Sequence, residues 1–305
     1  VLSTPWSRDF GLRVPIVNAP MGGVAGGRLA TAVTAAGGLG MVGMGSTATR
    51  SSLAAELRQA RGRYGIGLVD WVMRRQSGLL DDALAARPAL LSISFGTDLS
   101  WVSAARDAGI PTATQVYDAE DARRAADAGV DVLVARGAEG GGHGEVRLAT
   151  LPLLDVVLDV VSLPVLAGGG VASPRSLAAV LAAGASGAWV GTRLAACPEA
   201  LTGAPGRQAL IAAAATDTRV TRVFDVAAGL PWPERFPSRV LADEFVARWS
   251  GREEALAGDP DASVGHPAPV DAGQGVGMIR DDATVGEVIE ALCSGAEQLL
   301  SRWAT

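Results

Sequence analysis

The chain contains two histidines, His143 and His266. His143 ends a run of bare backbone, Arg136-Gly137-Ala138-Glu139-Gly140-Gly141-Gly142-His143-Gly144. Histidine is the side chain best suited to moving a proton near neutral pH. In so open a loop it is a candidate general base, against the alternative of a structural or surface role. His266 stands between prolines and glycine and takes the surface reading. Two other glycine clusters suit a phosphate: Gly168-Gly169-Gly170 with Ser173-Pro174 behind it, and Gly191-Thr192-Arg193. Free N–H groups at a helix start bind anions, and glycine lets the ligand come close. The competing reading is glycine that only relieves crowding. A further turn, Ala19-Pro20-Met21-Gly22-Gly23, offers close backbone and a soft apolar wall to a flat ligand. An ordinary strand-to-helix turn would look the same.

Other chemistries lack their parts. Gly38-Leu39-Gly40-Met41-Val42-Gly43 matches G-x-G-x-x-G, with Glu56 further on. It follows a predicted helix and contains a predicted strand, whereas a dinucleotide site needs the motif after a strand and opening a helix. His143-Gly144-Glu145 matches the H-x-E of zinc deaminases, but no P-C-x-x-C accompanies it, so no metal is expected. All 26 basic residues are arginine. That removes Schiff-base chemistry and any lysine-dependent P-loop. Cys197 and Cys293 suggest neither a disulfide framework nor a zinc site, and a reducing cytoplasm is the expectation. The net charge of −6 gives no nucleic-acid footprint. No apolar run approaches the ~20 residues of a membrane span, and residues 1–8 show no signal-peptide pattern. A small-molecule enzyme remains.

The elements that must hold these residues alternate. Apolar runs at 14–19, 39–42, 64–69, 89–95, 111–116, 131–135, 164–167 and 187–190 read as strands. Amphipathic stretches at 28–36, 51–60, 79–86, 99–108, 119–128, 152–161 and 174–183 read as helices, three of them closed by Gly109, Gly129 and Gly184. Strands apolar on both faces indicate a parallel sheet. Eight βα units indicate a (β/α)8 TIM barrel rather than an open doubly wound sheet. In such barrels the working loops follow the C-terminal strand ends. The Met21 turn then follows the first strand, the His143 loop the sixth, and the two glycine clusters the seventh and eighth. Residues 1–199 are assigned to the barrel and 200–280 to an irregular helical appendage over its mouth. Residues 281–305 are assigned to a closing C-terminal helix, periodic over 284–303. Trp232, between Pro231 and Pro233, either lines the pocket or anchors packing. An apolar appendage helix leaves a homo-oligomer open.

These segments resemble the nitronate monooxygenase (2-nitropropane dioxygenase) family. The resemblance rests on Pro15-Ile16-Val17-Asn18-Ala19-Pro20-Met21-Gly22, the 137–144 loop, 165–171 and 187–193. Asp217-Thr218-Arg219-Val220-Thr221-Arg222 and Ala272-Gly273-Gln274-Gly275-Val276-Gly277 resemble later segments of the same family. It covers almost the whole chain and is more specific for an FMN barrel than for a substrate. NAD(P)H:quinone reductases and flavin-dependent enoyl-ACP reductases share much of it. The resemblance implies non-covalent FMN, its phosphate on Gly169, Gly170, Gly191 and Thr192, with Gly168, Trp189 and Val190 in the same cofactor set. It implies the ring against Ala19, Pro20 and Met21, beside Gly67 and the 136–141 loop that ends at Gly141. It implies that His143 takes a carbon-bound proton from a neutral nitroalkane, with O2 completing the oxidation. Two positions depart from the family pattern. Gly65-Ile66-Gly67 stands where the family often has Gly-x-Asn, and Arg136 where it often has glutamine. Arg136 would either stabilise negative charge on a reduced flavin or form a rim salt bridge with Glu139 or Glu145. The second implied activity is an NAD(P)H-dependent FMN reductase acting on a quinone or enoyl thioester. A third reading is a ligand-binding barrel without catalysis.

Overall fold

The computed structural model describes residues 2–259, 266 and 268–302. Eight parallel strands form the barrel: β1 (Ile16–Asn18), β2 (Gly40–Gly43), β3 (Tyr64–Val69), β4 (Leu91–Ser94), β5 (Thr112–Val116), β6 (Val132–Arg136), β8 (Val165–Gly168) and β9 (Gly187–Val190). The two-residue strand β7 (Gly142–His143) lies outside it, so the seventh and eighth barrel strands are β8 and β9. The pairing order is β1-β9-β8-β6-β5-β4-β3-β2. A parallel bridge between Val17 and Leu39 closes the ring. There the Asn18 N–H donates to the Leu39 carbonyl at 3.2 Å and the Leu39 N–H to Ile16 at 2.9 Å.

The strands are short and almost wholly buried because both faces are covered. Val17, Leu39, Met41, Val134, Leu166 and Trp189 fill the inside. Trp6 and Phe10, stacked 5.2 Å apart, adjoin this inner cluster from the N-terminal segment. The helix Pro174–Ala182 starts on a reciprocal Ser173–Ser176 capping box with Pro174 in its first turn. That sequence fixes where the chain leaves the glycines of β8. Gly109, Gly129 and Gly184 follow their helices with positive φ, as expected. The helix Val285–Ser301 packs against Pro174–Ala182 and Gly27–Ala35. Trp303, placed in this helix by its periodicity, lies outside the described residues.

Two features differ from expectation. A helix, Asp70–Arg75, follows β3 without a break. The region assigned to an irregular helical appendage also contains strands β10 (Thr218–Thr221) and β11 (Ser238–Leu241). These form an antiparallel sheet in the order β10-β11-β7. Each is four residues of mixed polarity, too short for its alternation to stand out. The helices Val223–Ala227, Glu244–Trp249 and Glu253–Ala257 pack on this sheet around Val223, Phe224, Val240, Val246, Trp249 and Leu256.

Candidate active site

A cavity of about 400 Å³ opens at the C-terminal ends of the barrel strands, within the ~300–1,000 Å³ typical of small-molecule sites. Its wall includes Ala19, Pro20, Met21, Gly67, Arg136 and Gly141. His143, Gly169, Gly170, Trp189, Gly191 and Thr192 line it as well. Gly168 and Val190 do not; they end β8 and β9 within the barrel wall.

At one end, Gly169 and Gly170 have φ of +111° and +68°, a conformation that glycine adopts without strain. Among the described residues the N–H groups of Gly170 and Val171 have no acceptor, whereas those of Ala172 and Ser173 are taken by Ser176 Oγ. Buried N–H groups are rarely left unpaired, so open ones on a cavity wall invite an anion. Sequence reasoning missed a third turn at this end. The Gly273 N–H donates to Thr192 Oγ1 at 2.9 Å and the Gln274 N–H to the Glu139 carbonyl at 2.9 Å. Gly273 and Gly275 thereby join the wall. Their alternation with Gln274 was the available signal.

The Pro20 turn is seated by absences of side chain. A Cβ on Gly67 would fall 2.3 Å from Pro20 Cβ and Cγ, and one on Gly43 2.4 Å from the Pro20 carbonyl carbon. Gly67 therefore gives Pro20 its place against β3, a physical reason for glycine at this position.

Arg136, the last residue of β6, is buried. Its Nη2 donates to the carbonyls of Gly140, Gly141 and Gly142 at 3.0, 3.0 and 2.9 Å. The expected alternative of a rim salt bridge is not observed. Glu139 instead accepts from the backbone and hydroxyl of Thr150, and Glu145 pairs with Arg235 and Arg147. Burial lowers the Arg136 pKa, and the nearby Arg239 charge adds to this. The guanidinium gathers three carbonyls of one loop, giving the glycine run a fixed shape.

That shape presents His143. β7 pairs with β11, setting His143 opposite Ser238. His143 Nε2 lies 3.0 Å from both carboxylate oxygens of Asp225. The imidazole stacks on Trp232 with centroids 3.6 Å apart and an interplanar angle of 7°. Trp232 is anchored in turn, its Nε1 donating to Ser46 Oγ at 2.9 Å. The rings of Trp71 and Phe95 meet it edge-on. Phe95 holds φ of +72° at the end of β4, costly for a bulky residue by ~1–3 kcal/mol and typical of functional sites. Trp232 is thus both a packing anchor and part of the wall. Nothing in the sequence marked Asp225 among the acidic residues. His266, expected at the surface, is half-buried on the cavity wall, 5.3 Å from the Phe245 ring.

Asp271 completes this end. It is exposed and lines the cavity. Oδ1 accepts from Ser238 Oγ at 2.8 Å. The protein packed around it pushes its carboxyl above the ordinary range, and the Asp225 charge pushes the same way. His143, Ser238 and Arg136 pull it back. Among the described residues no group of three or more acidic, histidine or cysteine side chains is arranged to hold a metal, and no helix is long and apolar enough to cross a membrane.

A sequence model of the nitronate monooxygenase family matches residues 5–63 and 72–295. The chain is 31% identical over 259 residues to the (3aS,4S,5R,7aS)-5-hydroxy-7a-methyl-1-oxo-octahydro-1H-indene-4-carboxyl-CoA dehydrogenase of Rhodococcus jostii, covering 80% of this chain and 67% of that protein. It is 29% identical over 330 residues to a nitronate monooxygenase of Pseudomonas aeruginosa, covering 83% of this chain and 94% of that one. The crystal structure of a nitroalkane oxidase from Streptomyces ansochromogenes superposes with a TM-score of 0.80 at 27% identity, covering 97% of this chain and 99% of that chain.

Proposed function

The chain belongs to the nitronate monooxygenase family, a family of flavin-type oxidoreductases, and from that premise we propose that it oxidises nitroalkanes and alkyl nitronates with O2, using bound FMN and His143 as the base. The observation that carries this reading is the placement of His143. One ring nitrogen is held by Asp225, its plane is fixed by Trp232, and the ring borders the same cavity as the glycine turns.

The residues present suit FMN. Open N–H groups at Gly170 and Val171 and the three converging glycine turns suit a phosphate monoester. Pro20 and Met21 offer a flat wall for the ring. Bound there, the flavin supplies an electron acceptor for the nitronate and a route from it to O2. With Asp225 accepting from Nε2–H, Nδ1 is the lone-pair position that takes the proton from carbon, and the carboxylate provides the counter-charge once the ring is protonated. Trp232, Phe95 and Leu230 exclude water from the reacting carbon.

His143→Ala tests the assignment. Turnover of a neutral nitroalkane is expected to fall ~10²–10⁴-fold, the usual worth of a general base, while a preformed nitronate is spared. Equal losses on both would mean that the ring positions ligand and moves no proton.

A second reading is favoured by the relative named for a carboxyl-CoA substrate. In it the chain is an NAD(P)H-dependent FMN reductase acting on an enoyl thioester or quinone, and the same cavity and histidine serve a different electron donor.

A further inference from the structure

We propose that the indole face of Trp232 stabilises the charged form of His143, so that the positive charge the imidazole gains on taking the carbon-bound proton is met by the ring stacked on it. The inference rests on the reading of His143 as the base and gives Trp232 a part in the chemistry beyond holding the ring plane.

Proton removal breaks the C–H bond and leaves its electron pair on the substrate, while the proton forms a new N–H bond at Nδ1. The imidazole therefore starts neutral and ends as a cation. The face of an aromatic ring is electron-rich and attracts a cation within about 6 Å of its centre, tryptophan most strongly, and more so where water is excluded. The two ring centroids are 3.6 Å apart and the planes 7° from parallel, so the imidazole lies flat over the indole. Trp232 is 5% exposed and the His143 side chain 15%, so little water screens the pair. A neutral imidazole carries no net charge and gains much less from the same contact. The attraction grows as the proton arrives, and an interaction stronger in the transition state than in the ground state raises the rate rather than only tightening binding.

The surroundings hold the indole in that position. Nε1 donates to Ser46 Oγ, on the turn after β2, at 2.9 Å. Trp71 and Phe95 stand at 80° and 85° to it, with centroids 5.5 and 5.1 Å away. Asp225 meets His143 at Nε2, on the edge of the ring, and Trp232 covers a face. Carboxylate and indole thus answer the same charge from two directions.

The test replaces Trp232 in the FMN-loaded enzyme with tryptophans carrying one, two and four ring fluorines. These drain charge from the face, keep the Nε1–H for Ser46 and hardly change the ring's size. Asp225, Asp271 and Arg136, the charged groups near His143, stay the same throughout. Anaerobic flavin reduction by a neutral nitroalkane should slow with each added fluorine, roughly 2- to 30-fold in all. Substrate affinity and the rate with preformed nitronate should not change. At a fixed pH where wild type shows both forms, the imidazolium share of His143 should fall in the same order. Ring-proton NMR reads that share, with His266→Gln assigning the two histidine signals. The proposal is overturned if the fluorines leave the share unchanged, leave a measurable nitroalkane rate unchanged, or slow nitroalkane and nitronate alike. A share that falls in an enzyme that no nitroalkane reduces would instead sink the functional reading and leave the stack standing.

Discussion

Asp225 touches His143 through Nε2, and that contact sets which nitrogen of the ring is free. Asp225→Asn keeps the shape but admits the wrong tautomer. Neutral nitroalkane turnover should drop ~10²-fold or more, with FMN affinity, read by fluorescence titration, unchanged. A parallel loss of FMN would make Asp225 a structural residue. Asp271 makes a separate prediction through stability. Its folded-state pKa is raised, so between its unfolded value, ~3.9, and the folded one the native state binds more protons. Stability there falls as pH rises. Asp271→Asn escapes this loss. Its melting temperature should match wild type at low pH, exceed it as pH climbs above the ordinary carboxylate range, and stop gaining once Asp271 ionises. A gap constant at every pH would contradict the raised value.

At the scale of elements, the site depends on turns packed without side chains and on a loop gathered by one cation. Gly67→Ala would drive Pro20 out of place, an overpacking worth ~1–3 kcal/mol, and FMN binding should weaken with it. Arg136→Gln should loosen the 137–144 loop, seen as faster amide exchange there. It should also lower the flavin potential by removing a positive charge near the ring; an unchanged potential would deny Arg136 any role toward the flavin. Much of this was legible in the sequence. Strand periodicity and helix-end glycines give the barrel, and glycine after β8 and β9 gives one end of the cavity. The partners of His143 were not legible. Asp225 lies 82 residues further along, and Trp232 and Asp271 lie beyond it. Asp225 sits on the helix Val223–Ala227 and the other two lie outside the named strands, on a part of the chain joined to His143 by the pairing of β11 with β7; these strands are too short for their alternation to stand out, and an isolated aspartate carries no spacing signal. Arg136 was seen, but its true partners are carbonyls, which no sequence pattern displays.

For the whole molecule, barrel and appendage each supply half of one site. β7 leaves the barrel after β6 and pairs with β11 of the appendage, and Arg235 reaches back to Glu145. Both parts should therefore unfold in a single transition. Saturating FMN should raise its midpoint, since ligand at 100 times Kd stabilises the folded state by about 2.7 kcal/mol. Two separable transitions would mean that the appendage is an independent unit. The activity itself is decided on the FMN-loaded protein by following the flavin spectrum under anaerobic mixing with a nitroalkane and, separately, with NADH or NADPH. The nitroalkane should bleach the flavin, neither pyridine nucleotide should do so on the turnover timescale, and O2 should be consumed with the nitroalkane alone once air is admitted. Rapid bleaching by NADH or NADPH, with no response to the nitroalkane, would contradict it.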